Sequence, residues 1–284
     1  MFPVHLHKPA PILQRYVQFY VQRGLNLRDP QLVQSVPARA VPMLEFVFGD
    51  PVKIRLPGSS VAETSPKAAV VGMLTRPRGE LHLQGALESF VIIFQPAGLS
   101  ELFRVALNEL TDHAYDAHSV GGKPIAELEQ QLGDGDSFAS RVRTADAFLG
   151  RRVPAHSSID HLWGTADLIL ARNGRVRIPD LAAYSGIGTR QYERVFGARF
   201  GIRPKLYSRI VRFQAALDSK ARSSPNSWTD VAHEFGYHDQ MHMVQDFKEF
   251  TGETPTETLR LSEMYFRQQI PPGLVLDHLC RVKV

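Results

Sequence analysis

One arrangement of apolar and polar positions occurs twice in the C-terminal half of the chain, about fifty residues apart. The first copy, LAAYSGIGTRQYERVFGARFG, spans 181–201, and the second, VAHEFGYHDQMHMVQDFKEFTG, spans 231–252. Each opens on a short apolar pair, Leu181 and Ala182 or Val231 and Ala232, and reaches a glycine four residues after the Ala, Gly186 or Gly236. Each then sets an apolar residue and a Phe four apart, Tyr192 with Phe196 and Met243 with Phe247, positions that share one face of a helix. The pattern predicts two short helices around a tight glycine turn, twice over, hence two helix-turn-helix heads. Between them PKLYSRIVRFQAAL (204–217) spaces Leu206, Ile210, Phe213 and Leu217 by 4, 3 and 4, the stripe of a long linking helix with one buried face.

The first hundred or so residues follow another rule. Runs rich in β-branched and aromatic residues, MLEFVF (43–48), VKIRL (52–56), AAVVGML (68–74), ELHLQ (80–84) and ESFVIIFQP (88–96), alternate with Gly, Pro and Ser clusters such as LPGSS and TRPRGE. That predicts the strands of an antiparallel barrel or sandwich. Helices are expected over 99–107, 124–132 and 137–149. The fold expected is therefore α+β. A β-rich barrel or sandwich domain with helices fills 1–150, an exposed basic linker 151–156, an all-α domain with two helix-turn-helix motifs joined by a long helix 157–264, and a tail 265–284. Ser157, Ser227 with Asp230, and Thr254-Pro255-Thr256-Glu257 supply helix starts inside the α-domain.

Composition narrows this picture only slightly. A chain of 284 residues with 43% hydrophobic and 22% charged residues can bury two ordinary cores. The single cysteine, Cys280, excludes an internal disulfide and a multi-cysteine metal site, and fits a reducing compartment. The start, MFPVHLHKPAP, has no basic region leading into an apolar run, and no stretch approaches the roughly 20 apolar residues of a membrane span. The expectation is a cytoplasmic protein that makes no use of a membrane. The tail segment PPGLVLDHLC is expected to pack on the N-terminal domain or a second subunit, with Cys280 buried and inert or acting as a thiol sensor.

Charge matters more by place than by its net value of +4. From 186 to 222 there are nine Lys or Arg against two acids, and from 223 to 260 two against seven. The first head is thus the one suited to phosphates, while the acids around Asp246, Glu249 and Glu253 are expected to form a surface that repels them. If Tyr192 and Phe196 face inward, Arg190, Glu193 and Arg194 share the free face. Arg can pair with O6 and N7 of guanine and Glu can accept from cytosine N4, so this triplet can read bases. The alternative is a set of solvated helix charges paired among themselves. On the second head Met241, His242 and Gln245 face outward and can meet a thymine methyl or an adenine edge. Alternatively, that head mainly packs, or meets RNA polymerase.

Two other chemistries compete for the histidines. HDQMH (238–242) places two His four apart, as in a zinc hydrolase helix, but carries Asp239 where that motif needs Glu as general base. His5 and His7 could share a metal from one strand face, or simply be solvated. No glycine-rich phosphate loop or nucleophile elbow is present, and the chain is not expected to be an enzyme or to carry a cofactor.

The region 157–261 resembles the DNA-binding domain of AraC/XylS-type transcription regulators, most specifically through RPKLYSRIVRFQAAL and DVAHEFGYHDQMHMVQDFKEFTGETP. It departs at Gly188, where the first reading helix often begins with Ser, and at Gln245, where Arg is common. The resemblance implies base contacts at Arg190, Glu193, Arg194, Met241, His242 and Gln245, and phosphate contacts at Gln191, Arg199, Lys205, Gln240 and Lys248. It also accounts for HDQMH through the family's Gly-Tyr-x-Asp-Gln-x-His pattern. VPMLEFVFGD and FVIIFQPAGLSELF resemble an N-terminal domain of unknown function found on some of these regulators. The implied protein is a bacterial, nucleoid-associated regulator that binds double-stranded promoter DNA and dimerises through its N-terminal domain. That domain would take a small-molecule effector or, alternatively, a protein partner.

Overall fold

The strand that organises the N-terminal domain is one that alternation does not announce: β2 (Val17–Val36), paired along its length with β7 (Gly79–Phe94). The computed structural model describes residues 4–155, 161–221 and 226–266. Within β2 Val17 to Tyr20 and Gln22 are buried, because Gln18 and Gln22 find partners inside: Gln18 donates to Gln95 (3.2 Å) and Gln22 to Glu88 (2.9 Å). A polar residue that is hydrogen-bonded in the core breaks the hydrophobic pattern without breaking the strand. Pro30 lies where the register shifts between Leu27 and Leu32, a place in a sheet that does not need its missing N–H.

The remaining strands are β1 (Val4–His7), β3 (Met43–Gly49), β4 (Lys53–Arg55), β5 (Glu63–Thr64), β6 (Ala68–Val71) and β8 (Ala114–Asp116). All pair antiparallel in one sheet of order β1-β2-β7-β3-β6-β8, with β4 joined to β7 and carrying β5. The expected strands 80–84 and 88–96 are one strand. Gly85 takes φ +78° inside it, and Asp50 accepts the N–H of Ala86 at 2.7 Å, so the chain kinks against a loop instead of turning back. A Cβ at Gly85 would lie 2.1 Å from the Asp50 carboxylate.

Helices close the domain: α1 (Gly98–Phe103), α2 (Leu107–Leu110), α3 (Ala117–Gly121), α4 (Lys123–Gly133) and α5 (Phe138–Gly150). The single helix expected over 99–107 is two, because Arg104 adopts the left-handed conformation at φ 57° and ends α1. Ser137 caps α5, accepting the N–H of Ser140. Arg141 on α5, 7% exposed, donates to the Leu132 carbonyl (2.8 Å), to Gln22 (2.9 Å) and to Glu88, which ties the helix to the sheet. Near the expected linker, Arg152 is not a free basic residue. Its guanidinium lies 3.8 Å from the centre of the Phe148 ring, and burial lowers its pKa.

The second unit contains α6 (His161–Ala171), α7 (Ile178–Tyr184), α8 (Thr189–Phe200), α9 (Pro204–Ala221), α10 (Trp228–Glu234), α11 (Gln240–Thr251) and α12 (Pro255–Phe266). Pro37–Ala40 and Met73–Pro77 also belong to this unit. Within this unit Ala38 donates its N–H to the carbonyl of Phe250 (2.8 Å). Helix α9 has more than one buried face: Tyr207, Ser208, Ile210, Val211 and every residue from Phe213 to Asp218 are buried, since α6, α8, α10, α11 and α12 all contact it. Ser157, the tail from 267 on and Cys280 lie outside the described residues. None of the described helices is long and apolar enough to cross a membrane.

Candidate nucleic-acid interface

The two heads are built by the same local chemistry. After α7, Gly186 takes φ +70°, its N–H reaches the Ala183 carbonyl (3.0 Å), and Ile187 reaches Ala182 (3.2 Å). After α10, Gly236 takes φ +70°, its N–H reaches His233 (3.1 Å), and Tyr237 reaches Ala232 (2.9 Å). Both are paired carbonyl-satisfying turns that need a residue in the left-handed region, which is why a glycine stands at each. The reading helices also stop alike, at Gly201 (φ +79°) and Gly252 (φ +83°).

Inward faces are aromatic. Tyr192, Phe196 and Phe200 of α8 are fully buried, with ring centres 5.6 and 4.3 Å apart along the helix, and Phe196 meets Tyr207 of α9 at 5.7 Å. Burial holds the Tyr192 hydroxyl up at a pKa of about 12. On α11, Met243, Phe247 and Phe250 play the same part, Phe213 of α9 standing edge-on to Phe247 at 4.8 Å.

The outward faces follow from this. Arg190, Gln191, Glu193 and Arg194 are all exposed on α8, and among the described residues no ion pair engages Arg190, Glu193 or Arg194. Lys205 is exposed at the start of α9, and Arg199 is half-buried and engaged in a further interaction. On α11, Gln240, Met241, His242, Gln245 and Lys248 are exposed, Met241 to 64%. Gln240 is tied back, accepting a hydrogen bond from Thr229 at 2.8 Å.

The helix starts differ. Gly188 gives α8 no side-chain cap, whereas Asp239 accepts the N–H of His242 at 2.7 Å. That backbone bond, then the neighbouring His238 at 3.1 Å, holds the Asp239 carboxyl below the usual carboxylate range. Asp239 of HDQMH is therefore a helix cap, and the described residues contain no group of three or more His, Cys, Asp or Glu that could hold a metal ion. On the strand, His5 stacks on Phe138 at 5.5 Å.

One expectation is overturned. Asp246 and Glu249 do not form a free acidic surface, because Asp246 is fully buried and both carboxylates grip Arg209 of α9. Burial works to lower the pKa of Arg209, but hydrogen bonds and charge from Glu249 and Asp246 raise it. The charge count over 186–222 thereby overstates the cations available to phosphate. It also starts too late, since Arg172, Arg175 and Arg177 are exposed on the segment before α7. The RNGRVR run was the available signal. Arg175 donates to the Glu234 carbonyl (2.9 Å), and Gly174 (φ +73°) lies so close to α9 that a Cβ would meet the Ser208 carbonyl at 2.2 Å.

A helix-turn-helix domain family matches residues 181–261, and a domain of unknown function (DUF6597) matches residues 5–116. Residues 181–261 are an AraC-type helix-turn-helix domain. Among solved structures the chain is similar to ToxT from Vibrio cholerae, with TM-score 0.45 and 10% identity over 85% of this chain and 96% of that one. A ToxT structure with bound unsaturated fatty acid gives TM-score 0.46 and 10% identity over 85% and 95%. No curated protein matches the chain.

Proposed function

We propose that the chain is a transcription regulator that binds double-stranded promoter DNA with both reading helices, α8 supplying most of the affinity and base choice. Arg190, Glu193 and Arg194 would contact base edges, with Gln191, Arg199 and Lys205 on phosphates. Met241, His242 and Gln245 would make the second, weaker set of base contacts, flanked by Gln240 and Lys248. The observation that carries the reading is the exposed triplet Arg190, Glu193 and Arg194, without an ion pair among the described residues, opposite the buried Tyr192 and Phe196. Unpaired cations on a helix face keep their donors for guanine.

The N-terminal domain is proposed as the regulatory part, covering residues 1–150, responsive to a small-molecule effector and able to pair two copies of the chain. Thermal unfolding of the full chain against metabolite mixtures tests for the effector, and a protein partner is the alternative. To test the reading itself, the full chain is used to enrich duplexes from a random library, and Arg190→Ala and Arg194→Ala are titrated on the enriched site. Each should lose about 1–3 kcal/mol and relax preference at one base pair. Unchanged affinity and base preference in both variants would overturn the assignment.

A further inference from the structure

The reading helix of the second head holds a buried charge that its packing does not require. Asp246 sits on α11 between Met243, Phe247 and Phe250, in a row where an apolar residue would complete the contact with α9, and it has no solvent exposure. Its two oxygens are engaged differently, Oδ1 by hydrogen bonds and Oδ2 by charge alone. Arg209 donates to Oδ1 from Nε (3.0 Å) and Nη2 (2.7 Å), and Arg212, one turn further along α9, faces Oδ2 at 3.6 Å. Glu249, one turn along α11, takes the rest of the Arg209 fork at 2.5 and 3.2 Å. Both guanidiniums also cover rings of the same head, Arg209 lying 5.1 Å from the centre of Phe250 and Arg212 lying 4.3 Å from that of Tyr237. Arg212 further reaches the carbonyl of Gly236, the glycine of the turn.

Apolar faces of two helices can slide over one another at small cost. A buried carboxylate hydrogen-bonded by one guanidinium and facing the charge of a second a turn away keeps both interactions in one arrangement only. Buried ion pairs add little stability over well-packed apolar residues, and their attested use is to fix register. Here the parts registered are the linking helix, the turn and the reading helix of the second head.

We infer that Asp246 is a positioning residue for DNA reading. Clamped by Arg209 and Arg212, it fixes α11 at one angle on α9 and thereby sets which separation of half-sites the protein accepts. The inference rests on the two-headed reading above. Along a duplex one base pair moves a half-site by about 3.4 Å and turns it by about 35°, so a rigidly held head discriminates sharply between spacings and a loosened one does not.

The test uses the full chain and the site it enriches from a random library. Duplexes are made with the two half-sites moved apart or together by one and two base pairs, along with one carrying the first half-site alone. The wild type should lose about tenfold or more for each change of spacing, and Asp246→Asn about threefold or less, a gap within the range of single-position discrimination in such complexes. Both should bind the single half-site within about twofold of each other, since α8 is untouched. An Asp246→Asn variant that keeps the wild-type spacing dependence, or weakens equally at every spacing, shows a merely structural residue and overturns the inference. If that variant is unfolded by circular dichroism, Arg209→Lys serves instead, because it keeps a positive charge beside Asp246 while removing the two-donor grip on its Oδ1. A flattened spacing profile in that variant supports the inference, and an unchanged one overturns it. A wild type that enriches no site at all overturns the two-headed reading first.

Discussion

Arg209 on the linking helix donates two hydrogen bonds, at 2.7 and 3.0 Å, to one oxygen of Asp246, a carboxylate of the second reading helix that water does not reach. Removing one partner of such a pair leaves a charge buried and unsatisfied. Arg209→Met should therefore cost about 3–5 kcal/mol, whereas Arg209→Met together with Asp246→Leu should cost much less than the two changes summed. Urea unfolding of the full chain reads both values, and strict additivity would show that the pair is not coupled.

Salt dependence separates the cations of the first head from that of the second. Each lost phosphate contact lowers the slope of log affinity against log salt by about 1, so Lys205→Ala or Arg199→Ala should flatten it, and Lys248→Ala should leave it nearly unchanged. Titrations from low to moderate salt supply the slopes. An equal drop for Lys248→Ala would restore the second head as an equal partner.

How much of this was legible beforehand depended on whether the signal was local. The repeat with Gly186 and Gly236, the Ser227–Asp230 capping box and the inward Tyr192 and Phe196 are set by residues within one or two turns, and each stands as the pattern has it. The strand from Val17 to Val36 was missed because Gln18 and Gln22 look like surface and are buried only through partners more than sixty residues away. Asp246 was read as a surface acid for the same reason. Its partners Arg209 and Arg212 lie on another helix, and charge counting cannot see a pair across 37 residues.

Acid should loosen the second head before the first. Hydrogen bonds to the side chain and backbone of Ser227 hold Asp230 below the usual carboxylate range, and the cap at His242 does the same for Asp239. A carboxyl whose pKa is depressed on folding contributes stability that is present above its unfolded value and lost as pH falls through the folded one. Helix α8, starting at Gly188, has no side-chain cap to lose. Amide shifts of His242 and Asp230 should titrate below the ordinary carboxylate pH while those at the start of α8 stay still. Asp239→Ala should abolish the response at His242, and a response that survives the change would assign it elsewhere.

Residues 156–284 hold both heads and the linking helix and are expected to fold and bind DNA alone. They lack Pro37–Ala40, whose Ala38 N–H meets the carbonyl of Phe250 at the end of α11. The fragment should therefore be less stable than the same unit in the full chain by about 0.5–1.5 kcal/mol for that bond. Denaturant midpoints followed by tryptophan fluorescence compare the two, and a fragment of equal stability would show that the segment contributes nothing.

Footprinting on the enriched site, across a protein titration, weighs the two heads against each other in one experiment. The half-site beneath Arg190, Glu193 and Arg194 should be protected at the lower protein concentration, and Arg190→Ala should erase that lead. Equal protection of both half-sites at every concentration, unchanged by Arg190→Ala, would contradict the assignment of the first head as the principal reader.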